Sequence, residues 1–191
     1  MALGTAWTRL RAGMARPGRT KTIALQLVGF ATWIPVIACF NLHVADISVV
    51  QGPSMYPILN ADKDSTLRRD VILNYKWEPQ EGLQRGMIVT LRSPLHPEVV
   101  AVKRVVALEG DVVRTKAPYP VPTVQVPIGH IWVEGDGPPG SSLDSNTYGP
   151  VSVRLLTGKV THILWPFKKF GPIPWWEHQR APGRVTERVA E

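Results

Sequence analysis

The sequence predicts a mainly β domain that follows a single N-terminal transmembrane helix. Three observations lead to this prediction. An uncharged, apolar run extends from Ile23 to Phe40. Short segments rich in Val, Ile, Leu and Thr follow from Asp46 onward and have the composition of strands. No long segment after residue 46 has the 3.6-residue apolar period of an amphipathic helix.

Positive charge is concentrated at the N-terminus of the chain. The net charge is +7, and residues 1–21 contain five basic residues and no acidic one. Residues 22–167 contain equal numbers of basic and acidic residues. A basic tip beside a neutral body is typical of a membrane-orientation signal, whereas a nucleic-acid-binding face clusters on the folded domain. We therefore expect membrane lipid, and no nucleic acid, as a partner.

Residues 1–22 are predicted to form a basic N-terminal segment, and residues 23–45 a transmembrane helix. The uncharged run is about the minimum that a helix needs to cross a hydrocarbon core about 30 Å thick. Gly29 and Pro35 would weaken a soluble helix but are tolerated in membrane spans. A cleaved targeting peptide and a buried core helix are the alternatives. With the basic flank kept inside, the chain after Asp46 is expected on the opposite side of the membrane.

The remainder is predicted to form a β-rich domain over residues 46–167 and a C-terminal tail over residues 168–191. Clusters of Gly, Pro and Asp separate seven strand-like segments. These segments are Ile47–Val50, Asp70–Asn74, Met87–Leu91, Val99–Leu108, Val112–Thr115, His130–Glu134 and Lys159–Leu164. The tail is polar and contains prolines, so most of it is expected to be loosely ordered. Trp175 and Trp176 are the exception, because adjacent tryptophans rest at a membrane interface or pack on a domain.

The sequence contains no metal-binding or phosphate-binding pattern. The five histidines do not have the spacing of a His-Glu-x-x-His motif. Cys39 is the single cysteine, so neither an intrachain disulfide nor a cysteine metal cluster can form. Prolines within Gly135–Gly140 remove amides that a phosphate would need. We therefore expect no cofactor and no metal.

Ser54 and Lys103 are the candidate catalytic residues. Ser54 follows a Gly-Pro pair at the end of a strand-like segment, where a rigid corner can fix the orientation of its hydroxyl. Lys103 lies in the apolar run Val99–Leu108, where desolvation disfavours the ammonium and lowers its pKa. A neutral lysine can accept the serine proton as a general base, whereas Arg104, on the opposite face of the strand, stays protonated. The alternatives are an ordinary turn serine and a lysine that extends to water.

Both residues lie in ordered segments that resemble the sequence boxes of type I signal peptidases. The four segments are Ser54–Pro57, Arg85–Val89, Lys103–Asp111, and Gly135-Asp136 followed by Ser142–Gly149. The match covers roughly residues 46–167 and follows an apolar span. The resemblance implies a signal-peptidase-like, β-rich catalytic domain in which a Ser–Lys dyad cleaves targeting sequences near the membrane surface. It also implies a preference for small residues before the cut, where shallow pockets adjoin an extended substrate.

The resemblance implies a role for four residues of this sequence. By position, Ser54 matches the nucleophile and Lys103 the general base. Ser142 matches the serine that orients the lysine. Asp144 matches an acidic residue that supports the last loop. The lysine would then have no acidic partner, which agrees with a lowered pKa.

Three positions depart from the common pattern of the family. Gly52 stands where many members have a serine that helps to bind the oxyanion. Pro53 has no N–H to replace that serine, so the oxyanion hole must use the Ser54 amide and a donor that the sequence does not identify. Met87 stands where an acid is common, and Asn146 where an arginine is common.

The Asp-Ser-Asn version of the last box and the absence of a large insertion resemble the mitochondrial inner membrane peptidases of this family. That resemblance implies an N-terminus in the matrix and a catalytic domain in the intermembrane space. It also implies precursor proteins with sorting signals as substrates, and a homologous subunit 1 as the partner in a heterodimer. Four alternatives remain: a non-catalytic stabilising subunit, a bacterial-type signal peptidase I, a self-cleaving repressor-type protease and a nucleic-acid-binding β-barrel. The apolar span and the neutral body count against the repressor-type protease, and the sequence lacks the interleaved basic and aromatic face of a nucleic-acid-binding barrel.

Overall fold

The computed structural model describes residues 19–61, 69–138, 140–178 and 183–187. Residues 1–18 of the predicted basic segment (residues 1–22) therefore lie outside the described residues. The chain forms two compact units, Met1–Phe40 and Asn41–Glu191.

Two consecutive helices form the apolar N-terminal segment, α1 (Arg19–Ala31) and α2 (Trp33–His43). The break at Thr32 has a cause in the sequence. Pro35 has no N–H to offer the carbonyl four residues earlier, where α1 ends, and its ring would clash with that carbonyl. Together, Thr22–His43 are long and apolar enough to cross a membrane, with a mean hydropathy of 2.0 and no burial in the most apolar window. The predicted apolar helical segment is present, but as two helices rather than one, and it ends at His43 rather than Ala45 because the first strand begins at Ala45.

The second unit is mainly β, as predicted. Its strands are β1 (Ala45–Val49), β2 (Val71–Tyr75), β3 (Ile88–Arg92), β4 (Val100–Ala107), β5 (Val112–Arg114), β6 (Thr123–Gln125), β7 (His130–Glu134), β8 (Val151–Ser152), β9 (Leu156–Trp165), β10 (Gly171–Pro172) and β11 (Val185–Thr186). One α-helix of four residues, α3 (Ser145–Tyr148), lies between β7 and β8. Short 3-10 helices are found at Val153–Leu155, Phe167–Lys169 and Trp175–His178.

The strands form a large antiparallel sheet and a small one. The large sheet has the order β1-β2-β9-β3-β4-β7-β8, with β10 paired to β9, and the small sheet has the order β11-β5-β6. Each of the seven predicted strands is present; His130–Glu134 has the predicted ends, and the other six differ at one or both ends. The four strands that the sequence did not predict have two or three residues each, too few to show an alternating pattern.

The tail is more ordered than the sequence predicts over its described residues. Strand β10 pairs with β9, and β11 pairs with β5. Ile173 is buried in the main apolar core. For these residues the expectation of a loosely ordered tail is wrong, because backbone pairing and one buried apolar side chain hold a polar segment on the domain.

The apolar core holds the segment that carries Ser54. Met55 and Leu59 are 1% and 0% exposed and belong to one cluster with Ile72 and Ile163. Each such side chain contributes roughly 1.5–3 kcal/mol when it leaves water. The chain just after Ser54 is therefore fixed by packing, although the segment is not part of a regular strand.

Candidate active site

Ser54 lies at a turn that borders an open groove. The Tyr56 amide donates to the Pro53 carbonyl at 3.1 Å and closes the turn. The Ser54 carbonyl accepts the Gly137 amide at 2.9 Å. The groove has a volume of about 890 Å³, and its walls come from the β1 region and from the first residues of β4. Ser54 is half-buried and so remains accessible from this groove.

Lys103 is buried in β4, with 4% of its surface exposed. Its Nζ atom donates a 2.8 Å hydrogen bond to Ser142 Oγ. Among the ion pairs of the described residues, none includes Lys103. Burial lowers the pKa of Lys103 below its ordinary value of 10.5, and the nearby charge of Asp144 opposes this effect without cancelling it. The lysine therefore loses its proton more readily than a lysine in water.

Gly135 is the point at which Ser54 and Ser142 meet. A Cβ atom on Gly135 would lie 2.5 Å from Ser142 Oγ and 2.5 Å from the Ser54 carbonyl oxygen. No side chain fits between these atoms. The missing side chain thus allows the serine turn and the loop after β7 to approach each other.

Asp144 organises the loop that carries Ser142. It is 8% exposed and is the N-cap residue of α3, where its Oδ1 atom accepts the Asn146 amide at 3.0 Å. Its Oδ2 atom accepts the Gly135 amide at 3.1 Å. Capping by aspartate stabilises a helix by about 1 kcal/mol. The same carboxylate therefore joins the short helix to the glycine beside Ser54.

The structure brings the four predicted site residues together. Ser54, Ser142 and Asp144 each approach or bond Gly135, and Lys103 bonds Ser142. The catalytic roles assigned to them remain predictions. In the part of the chain that the structure describes, no group of three or more His, Cys, Asp or Glu side chains converges on one point.

Sequence reasoning missed two ion pairs made by arginines of the predicted sequence boxes. Arg104, the neighbour of Lys103, donates to both carboxylate oxygens of Asp136 at 2.8 and 2.6 Å and to the Gly86 carbonyl at 2.6 Å. Arg85 makes a similar two-bond contact to Asp111, with both distances 2.8 Å. The position of Arg104 in an apolar strand could have predicted its ion pair, because a buried guanidinium needs an anionic partner.

The positions that depart from the common pattern have structural explanations. Gly52 has a φ of +79°, in the left-handed region that favours glycine over serine. Met87 packs against the apolar cluster around β3 and β7. Asn146 is buried, and its side chain accepts the Lys116 amide at 2.8 Å and donates to Asp144 at 3.2 Å. Asn146 therefore fixes the loop without a charge.

Comparison with known proteins identifies the class to which this fold and site belong. The family model of signal peptidase, peptidase S26, matches residues 23–119, and the chain belongs to this family. The resemblance expected from the four sequence boxes is thus confirmed.

The similar proteins include mitochondrial relatives. The chain is 44% identical to mitochondrial inner membrane protease subunit 2 of Schizosaccharomyces pombe, over 78% of this chain and 80% of the relative. It is 40% identical to subunit 2 of Saccharomyces cerevisiae, over 83% and 89%. It is also 34% identical to subunit 1 of Mus musculus, over 78% and 87%. A solved signal peptidase I from Enterococcus faecalis matches with a TM-score of 0.37 and 21% identity, over 42% of this chain and 98% of that chain.

Proposed function

We propose that this chain is a membrane-bound serine endopeptidase that removes N-terminal targeting peptides, with Ser54 as nucleophile and Lys103 as general base. One observation carries the proposal. The buried Lys103 ammonium, whose pKa is lowered, donates to Ser142 Oγ, and Ser142 meets the Ser54 turn across Gly135. Ser142 thus links a base with a lowered pKa to the turn that carries an accessible serine, and nucleophilic catalysis needs such a pair.

The proposed reaction is acyl transfer in two steps. Neutral Lys103 takes the hydroxyl proton of Ser54 as the serine oxygen attacks the scissile carbonyl. Collapse of the tetrahedral intermediate breaks the peptide C–N bond, and the lysine ammonium gives its proton to the leaving amine. Lys103 then removes a proton from water as the water oxygen attacks the acyl-enzyme. Collapse of this second intermediate breaks the ester C–O bond, Lys103 returns the proton to the Ser54 oxygen, and the acid product leaves. Ser142 orients the lysine throughout, and Asp144 holds the loop in place.

The groove beside Ser54 suits an extended substrate. Its walls come from β1 and from the beginning of β4, and the side chains there include Val49, Val99 and Ala101. An extended peptide between two strand segments presents alternate side chains to the same wall. The family resemblance implies small residues just before the cut.

The names of the relatives favour a mitochondrial location. We propose that helices α1 and α2 together cross the mitochondrial inner membrane once over residues 23–43, in contact with lipid. Residues 1–22 would then face the matrix, and the catalytic domain over residues 46–167 and the tail would face the intermembrane space. Its substrates would be precursor proteins with sorting signals, and a homologous subunit 1 would be its partner in a heterodimer.

The proposal is tested by cleavage of a precursor that carries a sorting signal. The detergent-purified chain is assayed alone and with a homologous subunit 1, beside the single variants Ser54→Ala and Lys103→Met. We expect cleavage by the wild type and a loss of nearly all turnover in both variants, because the dyad acts as a unit. A complex that keeps its activity for this precursor with either variant would show instead that the chain is a non-catalytic, stabilising subunit.

A further inference from the structure

A polar floor lies in the groove beside Ser54, although the surrounding core is apolar. Three side chains from three neighbouring strands form it: Asn74 on β2, Thr157 on β9 and Thr90 on β3. The Thr157 hydroxyl donates to Thr90 Oγ1 at 2.9 Å, and the Thr90 hydroxyl donates to Asn74 Oδ1 at 3.0 Å. The three groups form a continuous hydrogen-bonded chain across the sheet.

Gly158 allows this chain to form. Strand β9 lies between β2 and β3, and Gly158 is the β9 residue opposite Thr90. A Cβ atom on Gly158 would lie 2.7 Å from Asn74 Cγ. The amide of Asn74 therefore occupies the space that a β9 side chain would fill, and it reaches Thr90 two strands away.

Asn74 lines the groove, and its amide nitrogen has no hydrogen-bond partner among the described residues. Asn74 is 3% exposed, and it lines the groove. Its Oδ1 atom accepts from Thr90, while its Nδ2 atom bonds none of the described residues. Fully enclosed side-chain polar atoms of the described residues all have partners, so the unpartnered Nδ2 atom is not fully enclosed, and the groove is the space that Asn74 lines. A largely buried donor left open in this way is ready for an acceptor on a ligand.

We propose that Asn74, Thr90 and Thr157 form a substrate subsite that selects a side chain carrying a hydrogen-bond acceptor, such as that of serine, threonine, asparagine or glutamine. This inference rests on the proposed peptidase function. The subsite is close to the reacting groups, since Thr90 pairs across β3 and β4 with Val102, the residue before Lys103. An aliphatic side chain in this position would leave the Asn74 donor unpaired and desolvated, which disfavours its binding.

The test compares peptides that differ only by threonine or valine, two side chains of nearly equal size. The peptides are short and have a small residue before the scissile bond. Threonine is replaced by valine at one peptide position at a time. We expect kcat/KM to be about five- to tenfold higher with threonine at one position, the effect of a single hydrogen bond. The variants Thr157→Val, Thr90→Val and Asn74→Leu should each reduce that preference towards unity.

Thr161→Val is the matched control variant. Thr161 also lies on β9, but its hydroxyl donates to the Leu73 carbonyl at 3.4 Å and it does not line the groove. This variant should keep the preference for threonine. If the polar chain only pinned the strands together, the subsite variants would lower the melting temperature without changing the preference. Thermal unfolding of each variant separates the two effects, and the two threonine variants decide the case if Asn74→Leu does not fold.

Binding to the Ser54→Ala protein separates failure of this inference from failure of the proposed function. Fluorescence anisotropy with labelled threonine and valine peptides should show the same preference without turnover. Selective binding combined with no cleavage by the wild type would uphold the subsite and reject the peptidase function. Equal cleavage of the two peptides at every position, or equal binding where cleavage is absent, would overturn the subsite.

Discussion

Lys103 Nζ donates a 2.8 Å hydrogen bond to Ser142 Oγ, 39 residues further along the chain. The bond joins the middle of a buried strand to the loop that follows another strand. A lysine side chain has several rotatable bonds, and burial alone does not fix where its amine lies. Ser142 supplies that restriction. The position of the amine of Lys103, the proposed general base, therefore depends on Ser142, which need not exchange a proton itself.

Removal of the Ser142 hydroxyl should slow the chemical step. Ser142→Ala leaves Lys103 Nζ without its acceptor, so we expect kcat to fall about 10- to 100-fold with a smaller change in KM. Ser141→Ala is the matched control, because the neighbouring hydroxyl donates instead to the Pro138 carbonyl at 2.6 Å. Steady-state kinetics on one peptide substrate check the prediction, which fails if the two variants lose activity equally.

The pH dependence of cleavage should follow the ionisation of Lys103. Burial lowers the pKa of Lys103 and Asp144 raises it, and only the neutral amine can accept the serine proton. Activity should therefore fall as the pH drops through the lysine pKa, which lies below 10.5. Asp144→Asn removes the charge that favours the ammonium, so the acidic limb of the kcat/KM profile should move to lower pH. A shift of that limb to higher pH would contradict this electrostatic role.

Gly135→Ala should abolish peptide cleavage while the protein remains folded. Its methyl group would collide with both Ser142 Oγ and the Ser54 carbonyl oxygen at 2.5 Å, so the two loops must move apart. Gly82→Ala is a useful comparison, since Gly82 has a φ of +60° and open space around it. That variant should lose about 1 kcal/mol of stability from backbone strain and keep its activity. Parallel thermal unfolding and peptide cleavage would show whether the two variants differ in this way.

Glu134, the residue before Gly135, should contribute to stability in a defined pH range. Burial alone would raise its pKa, but hydrogen bonds from Arg184, Lys116 and Trp132 outweigh burial and lower the pKa to about 2 from an ordinary 4.5. A carboxylate with a lowered pKa in the folded state stabilises the protein above pH 4.5. That contribution is lost as the pH falls from 4.5 towards 2.

The variant Glu134→Gln should therefore be less stable than the wild type at neutral pH, with a melting temperature that depends less on pH below 4.5. Melting temperatures of both proteins across this range provide the measurement. If the melting temperatures of the two proteins change equally with pH below 4.5, Glu134 does not contribute to stability in acid.

The longer strands and the site residues Ser54 and Lys103 can be predicted from local patterns in the sequence. Val99–Leu108 is apolar on both faces, which indicates a buried strand and makes Lys103 conspicuous within it. The role of Gly135 has no local signal, because it depends on two loops that are distant in the chain. The open donor of Asn74 likewise depends on a gap at Gly158, in a strand 84 positions later. Contacts of this kind follow from the sheet order, which local patterns do not specify.

The ion pair between Arg104 and Asp136 has a consequence for strand register. Lys103 and Arg104 are adjacent, and in a strand such neighbours point to opposite faces. A slip of β4 by one residue would exchange them and present a guanidinium to Ser142. That group keeps its proton in proteins and cannot serve as a base. By holding Arg104 with two bonds, Asp136 selects which of two neighbouring cations enters the site, although it takes no part in the proposed chemistry.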